Sequence, residues 1–425
     1  MSTGDDGGGD GRLPMHDLPR ARTGAGLTAL TGVKVLDLTT SIAGPYAGML
    51  LGDLGADVVK IERVGGGDDA RGWGPPFLEG HSLWYLSVNR NKRSVALDIT
   101  RPEGREVLDA LIRQADALLM NQPASVMRKL KLDARNVHAV NPRIIHVSIT
   151  GFGLSGARAD FTCYDLIAEG YSGVMDLTGE PGRDAQKVGA PAADMLAGMD
   201  AAFATLAAIY ERQRTGKGTA IEVALTDSMI RFLTCRIVPY LGSGEVPRRA
   251  NGRDSVIAIY RSFETADQPI TLGLGTDAIW KRFWAAVGQP ERGEQDDAVS
   301  NAVRRERRDQ IVAEIQAVLA TRPRAEWLAL FADARVPAGP INRVDEVVAD
   351  RHLLERGMFY ALDSDDGPVP QVGLGIQFDG RTAGARHAPP ALGAHSGDIL
   401  SSWLGYDAAT IARLTADGII QGERP

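Results

Sequence analysis

Cysteine is scarce: the 425 residues contain only Cys163 and Cys235. Two thiols this far apart build neither a disulfide framework nor a metal-ligand cluster, so a stapled secreted module and a structural zinc site are excluded, no metal is expected, and the expected compartment is a reducing cytoplasm. Long apolar runs are missing as well. No segment approaches the ~18 consecutive apolar residues of a membrane span, and no membrane partner is expected. An excess of positive charge is absent: 47 Lys and Arg stand against 54 Asp and Glu, a formal net charge of -7. The basic residues are dispersed apart from Arg304, Arg305, Arg307 and Arg308, which read as a solvated helix face, so nucleic acid is not expected as a partner. The first 26 residues, rich in Gly and Asp, hold no apolar core run and no cleavage-type site. They are expected to be a disordered tail and not a signal peptide.

What is present is an alternation of short apolar, β-branched runs with helical patterns. Val33–Leu38 (VKVLDL), a loop at Ala43–Pro45, a helix through Met49–Leu54 and the run Asp57–Ile61 form a parallel βαβ unit. Strands at Ser94–Ile99, Ala117–Met120 and Arg143–Ile149 alternate with helices at Pro102–Ala115 and after Pro123. This predicts an α/β fold with an open, mostly parallel sheet, its ligand site beyond the carboxyl ends of the strands. Glu62 sits where a dinucleotide fold carries its ribose-binding acid. The first turn reads AGPYAG, however, without the G-x-G-x-x-G fingerprint, and a nicotinamide-dependent oxidoreductase is disfavoured. A break at Gly242–Asp254 marks the approach of a second domain, with strands in SVIAIYRSF and PITLGLG and helices at Ala278–Val287, Arg307–Ala320 and Arg324–Ala334.

The most informative stretch is Gly189–Thr219. After Pro191, Leu196, Met199, Phe203, Leu206 and Tyr210 recur at helical spacing and predict one buried face, ended by Gly216 and Gly218. Asp194 at the head of this helix reads first as an N-cap. The positive end of the dipole would keep its carboxylate ionised, the state a covalent nucleophile needs.

The segments VLDLTTSIAGPYAGMLLGDLGADVVKIER, NRNKRSVALDIT, NPRIIHVSITGFG and the Asp194 helix with RTGKG, in that order, resemble the class III coenzyme A transferases of the CaiB/BaiF, formyl-CoA transferase-like type. The resemblance runs from Leu27 to about Ile419. It implies a large Rossmann-like domain made from both chain ends (residues 27–225 and 343–425), a smaller α+β domain (226–342), and an interlocked homodimer. It also implies acyl-CoA and a carboxylic acid as substrates and Asp194 as nucleophile. Carried over position by position, coenzyme A contacts fall at Ile42, Ala43, Arg63, Leu97, Asp98, Ile99, Thr100, Asn121, Gln122, Pro123 and Lys129, and along Thr162, Cys163, Tyr164 and Asp165. Arg63 and Lys129 suit phosphates; Asn121 is equally a turn residue and Lys129 equally a surface cation. Trp73 corresponds to a tryptophan near the acyl group, or else anchors its glycine-rich loop. A glycine loop in the small domain is implied as oxyanion donor, with Gly242, Gly244 and Gly252 as candidates.

The implied chemistry is acyl transfer through an aspartyl anhydride and an aspartyl-CoA thioester at Asp194. One alternative is a 2-methylacyl-CoA racemase on the same fold, which carries a histidine where this chain has Tyr164, a poor proton acceptor at neutral pH. Another is a CoA-binding protein without turnover.

Overall fold

The computed structural model describes residues 13–21, 26–250, 256–298 and 300–422. They fall into two compact units, one formed by residues up to 172, 189–235 and 348 onward, the other by 173–188 and 236–347.

The larger unit is built on a seven-stranded sheet. Its parallel strands are β1 (Lys34–Leu38), β2 (Asp57–Glu62), β3 (Lys92–Leu97), β4 (Ala117–Met120), β5 (Ile145–Thr150) and β6 (Thr219–Ala224). Across the sheet they run β3-β2-β1-β4-β5-β6, and the short strand Ile420–Gln421 adds to the β3 edge antiparallel. The chain winds outward from β1 in one direction through β2 and β3, then returns to its other side at β4. That reversal opens a crevice at the carboxyl ends of β1 and β4, where α/β sheets bind ligands.

Five helices matter for the site. They are α1 (Ala43–Asp53), α2 (Pro102–Gln114), α3 (Asp165–Ser172), α4 (Ala192–Thr215) and α5 (Leu225–Phe232). Pro102 opens α2, whose Val107, Leu108, Leu111 and Ile112 bury one face against Leu36, Val59, Val95 and Leu118 of the sheet. Gly216, left-handed at φ 71°, ends α4 and returns its amide to the Arg212 carbonyl at 2.8 Å.

The buried face of α4 is the reverse of the one its large residues predict. Ala193, Ala197, Gly198, Ala201, Ala202, Thr205, Ala208 and Ile209 are buried, whereas Met199, Phe203 and Tyr210 are 50, 74 and 79% exposed. The helix is long and apolar enough to cross a membrane by length and composition. Here it packs by its small residues against α1, β5, β6 and α5, as a core helix does.

Part of the stretch expected to be a disordered tail is ordered. Pro14–Asp17 forms a single 3-10 turn, and Pro19 to Ala21 pair with Ala361 in a hairpin of Phe359–Ser364 and Gly367–Val372. Residues 1–12 and 22–25 lie outside the described residues.

The smaller unit has a three-stranded antiparallel sheet, β7 (Tyr260–Phe263), β8 (Ile270–Gly273) and β9 (Ala338–Pro340). It packs on α6 (Asp277–Ala286), α7 (Arg308–Leu319) and α8 (Arg324–Asp333) around Trp280, Trp284, Trp327 and Phe331. Arg304, expected on a solvated face, is buried. Its guanidinium lies 4.6 Å from the Trp280 ring centre, bonds to the Ala298 carbonyl at 2.7 Å and pairs with Asp277 at 2.7 Å, so stacking and ion pairing offset its desolvation.

Candidate active site

Beyond the carboxyl ends of β1 to β4 lies a cavity of about 310 Å³. Ile61, Leu97, Ile99, Met120, Val126 and Leu130 supply apolar walls, and Thr39, Thr40, Arg63, Thr100 and Gln122 supply polar atoms. Five residues carried over from the resemblance (Arg63, Leu97, Ile99, Thr100 and Gln122) thus meet in one place. Arg63 is exposed at the mouth; its guanidinium pairs with Asp69, and its Nε donates to the Gly67 carbonyl at 3.2 Å. Asp98 accepts from the Thr100 amide at 3.0 Å and the Thr100 hydroxyl at 2.6 Å, which holds its carboxyl below the ordinary range and shapes the turn after β3. Pro123 precedes the short helix Ala124–Lys129, and Lys129 stands exposed at that helix's end.

Asn121 is spent inside the protein. Its side chain accepts from the Thr40 amide at 3.0 Å and donates to the Thr40 carbonyl at 2.7 Å, clasping the ends of β1 and β4 across the crevice. Glu62 is likewise occupied: it takes both Arg71 nitrogens at 2.7 Å and the Ser94 hydroxyl at 2.6 Å. The ribose-binding role it imitates is therefore closed to it.

Under the cavity floor lies a buried ion network that the sequence reading passed over. Lys92 Nζ donates to Asp37 at 2.8 Å, to the Pro45 carbonyl at 2.7 Å and to Asn89 at 2.9 Å. Lys60 Nζ meets Asp68 and the Thr39 carbonyl, both at 2.8 Å, and Asp68 accepts the Ser41 amide at 3.0 Å. Burial favours neutral Asp37, but Lys92 and Lys60 outweigh it and hold the carboxyl below its usual range; burial brings Lys92 down to about 8. The network fixes Thr39 and Thr40, which line the cavity, and the left-handed Ser41 at φ 71° that turns the chain into α1. A charged residue within each of β1, β2 and β3 (Asp37, Lys60 and Lys92) was the available signal, since such a charge persists only when paired.

Asp194 is the third residue of α4. Pro191 occupies the N-cap position, so Asp194 does not cap the helix; it stands inside the first turn, and its carboxylate accepts no hydrogen bond from a described residue. Asp165, the first residue of α3, takes the capping role from another segment. Its Oδ1 accepts from the Ala193 amide at 2.8 Å and the Asp194 amide at 3.3 Å. Burial, then the charge of Asp165, pushes the Asp194 carboxyl up to about 7, so the helix dipole does not hold it fully ionised at neutral pH. Cys163 is close enough to feel Asp194; burial and that charge push its thiol up to about 11, which removes it as a competing nucleophile.

The sequence model of CoA-transferase family III matches residues 30–396. The chain belongs to that family. It is 34% identical to the succinyl-CoA:glutarate CoA-transferase of Mus musculus over 92% of this chain and 90% of that protein. It is also 34% identical to the succinate–glutarate CoA-transferase of Agrobacterium fabrum strain C58, over 91% and 97%. A crystal structure of a CaiB/BaiF family protein from Brucella suis superposes with a TM-score of 0.77 at 35% identity, covering 88% of this chain and 98% of that one. The α/β unit is thus the CaiB/BaiF fold, and the protein is an enzyme of the CoA-transferase class, for which a coenzyme A thioester is a co-substrate.

The remaining residues of this family III transferase divide as follows. Ile42 and Ala43 are buried at the start of α1. Thr162 and Tyr164 are exposed beside Cys163, Tyr164 at 68%. Trp73 packs edge-on against Trp84, with centroids 6.4 Å apart, beside Ala70, Leu78 and Tyr85, and does not line this cavity. In the smaller unit, Gly242 lies in the last turn of the helix Thr234–Ser243, and Gly244, left-handed at φ 75°, returns its amide to Tyr240 at 2.8 Å as that helix's cap. Gly252 lies outside the described residues.

Proposed function

We propose that this transferase moves coenzyme A from succinyl-CoA to a free dicarboxylic acid of about glutarate size, through covalent intermediates on Asp194. The supporting observation is the placement of Asp194: a half-buried carboxylate in the first turn of a core helix, with no hydrogen bond from the described residues claiming its oxygens. The two relatives named for succinyl or succinate and glutarate supply the substrate class.

In the proposed reaction, an Asp194 oxygen attacks the thioester carbonyl carbon, the C–S bond breaks, and coenzyme A leaves as thiolate. The mixed anhydride so formed is attacked by the thiolate at the Asp194 carboxyl carbon, expelling the donor acid and leaving an aspartyl-CoA thioester. The acceptor carboxylate then attacks that thioester and releases the thiolate. Attack of the thiolate on the acceptor's carbonyl gives the new acyl-CoA and frees Asp194. Each step replaces one acyl bond by another, so no proton is consumed. A basic carboxylate that still ionises near neutral pH suits the first attack. The apolar walls of the cavity would take the adenine, with Arg63 at its mouth and Lys129 nearby for phosphates.

A homodimer is part of the same reading. Phe203 and Tyr210 on α4, Leu166, Ile167 and Tyr171 on α3, and Phe232 at the end of α5 are exposed large apolar side chains, the kind of surface that a second protomer would cover. Light scattering behind a sizing column should give twice the 45.4 kDa chain mass. A monomer that is fully active would contradict the dimer.

The substrate reading is tested by incubating enzyme and succinyl-CoA with a series of dicarboxylic acids and following acyl-CoA products by mass spectrometry. Formation of glutaryl-CoA with release of succinate is expected. Absence of any new acyl-CoA across the series would overturn it.

A further inference from the structure

The helices α3 and α4 meet at their N-termini. The first amides of α4 have no carbonyl partner within the helix, and Pro191 has no side-chain acceptor to offer them. Asp165 fills the place from 28 residues upstream, gripping the amides of Ala193 and Asp194 with one oxygen. The backbone of Asp194 is therefore bonded directly to a second carboxylate.

We propose that Asp165 is the positioning residue for Asp194: it caps the nucleophile's helix from α3, fixes the nucleophile's backbone, and keeps a negative charge beside it that acylation relieves. The inference rests on the reading of Asp194 as nucleophile. Acylation converts Asp194 to a neutral anhydride or thioester, so one of two neighbouring negative charges disappears while the cap stays in place. Repulsion thus raises the energy of the free carboxylate relative to its acylated forms. An ordinary N-cap would stabilise the helix as well; only a charged cap touching the nucleophile's own amide also biases the chemistry.

The surroundings assign that role to Asp165. Other titratable groups on the elements packed against α4 are Tyr46 and Asp53 on α1, Glu169 and Tyr171 on α3, His146 on β5, Glu222 on β6, and Asp227 and Arg231 on α5, with Cys163 just before α3. Of these, Arg231 pairs with Asp200 further along α4, Asp53 pairs with Arg90, Glu222 accepts from the Leu154 amide, and His146 bonds to the Leu132 carbonyl. Asp165 bonds to the first turn, and its charge, after burial, is what pushes the Asp194 carboxyl up to about 7.

Two variants separate the parts of the role. Asp165→Asn keeps an oxygen acceptor and so keeps the cap, but removes the charge; Asp165→Ala removes both. The readout is the pH dependence of adduct formation at Asp194 from succinyl-CoA in a single turnover, trapped with hydroxylamine and located by peptide mass, with thermal melting alongside. In the full-length wild type the adduct rate should rise through pH about 7. In Asp165→Asn that midpoint should fall by roughly one pH unit in a protein that still folds, with melting unchanged at pH about 4, where Asp194 is protonated in both. In Asp165→Ala the rate at high pH should drop about tenfold or more, through lost positioning. Should Asp165→Ala fail to fold, the Asp165→Asn midpoint decides alone. A wild-type adduct with an unshifted Asp165→Asn midpoint overturns this inference and leaves the nucleophile reading standing. No wild-type adduct at Asp194 overturns both.

Discussion

Gly198 lies against the carbonyl of Ala43, so closely that a Cβ on it would stand 2.6 Å from that oxygen and 3.0 Å from the Tyr46 ring. Gly198 is one turn beyond Asp194 on α4, and Ala43 opens α1 three residues after Thr40 of the cavity lining. The pair sets the spacing between the candidate nucleophile and residues 39–43.

A side chain at 198 must therefore push α4 off α1. Gly198→Val should lose about 1–3 kcal/mol in urea unfolding through overpacking. Its kcat should fall about tenfold or more, because a displacement near 1 Å at a reacting group costs up to ~100-fold. Unchanged kcat in a folded Gly198→Val protein would show that this contact does not place Asp194.

The buried ion network should be intolerant of half-removal. Lys92→Met leaves Asp37 buried without its main partner, at a cost of about 3–5 kcal/mol, while Lys92→Met with Asp37→Leu should recover much of the loss. Urea midpoints of the two variants check this. A single variant as stable as wild type would mean that Asp37 takes up a proton without penalty.

Arg63 separates binding from chemistry. Removing a cation that meets a phosphate costs about 1.5–3 kcal/mol, so Arg63→Ala should raise the KM for succinyl-CoA roughly tenfold or more and leave kcat nearly intact. The exposed Arg63–Asp69 pair contributes little to folding, and melting should stay within a degree or so of wild type. A kcat loss without a KM change would place Arg63 elsewhere in the reaction.

Asp194 should weaken the fold where it serves the chemistry. Its carboxyl sits near 7 in the folded chain and near 3.8 when unfolded, so the folded state binds the proton more tightly. The penalty is absent below pH about 4, grows as pH rises toward 7, and is complete above 7. Asp194→Asn should accordingly melt higher than wild type at pH 8, with the gain shrinking to nothing by pH 4. Equal melting at pH 8 would mean that the Asp194 carboxylate carries no strain.

Much of this architecture was legible in the chain. Apolar β-branched runs alternating with helical patterns marked the parallel strands, and Gly216 marked the end of α4, because both signals are local. The buried face of α4 was not legible. Periodicity singled out Met199, Phe203 and Tyr210, yet the buried face is made mostly of Ala and Gly, with Gly198 tight against Ala43 of α1, and the large residues turn outward. The cap of α4 was misassigned to Asp194 for a related reason: its acceptor, Asp165, comes from a different segment. Arg304 looked solvated because nothing in a linear basic run announces Trp280 and Asp277 closing over it. Glu62 and Asn121 were correctly placed at strand ends, but their partners, Arg71 and Thr40, are fixed only by the fold.

The most direct test of the account is to mix the enzyme with succinyl-CoA at pH 8, quench with hydroxylamine, and map the modified peptide by mass spectrometry beside Asp194→Ala. The expected result is a hydroxamate at Asp194 in the wild type, and neither adduct nor transfer to glutarate in the variant. Transfer activity in Asp194→Ala, or an active wild type with Asp194 unmodified, would contradict it.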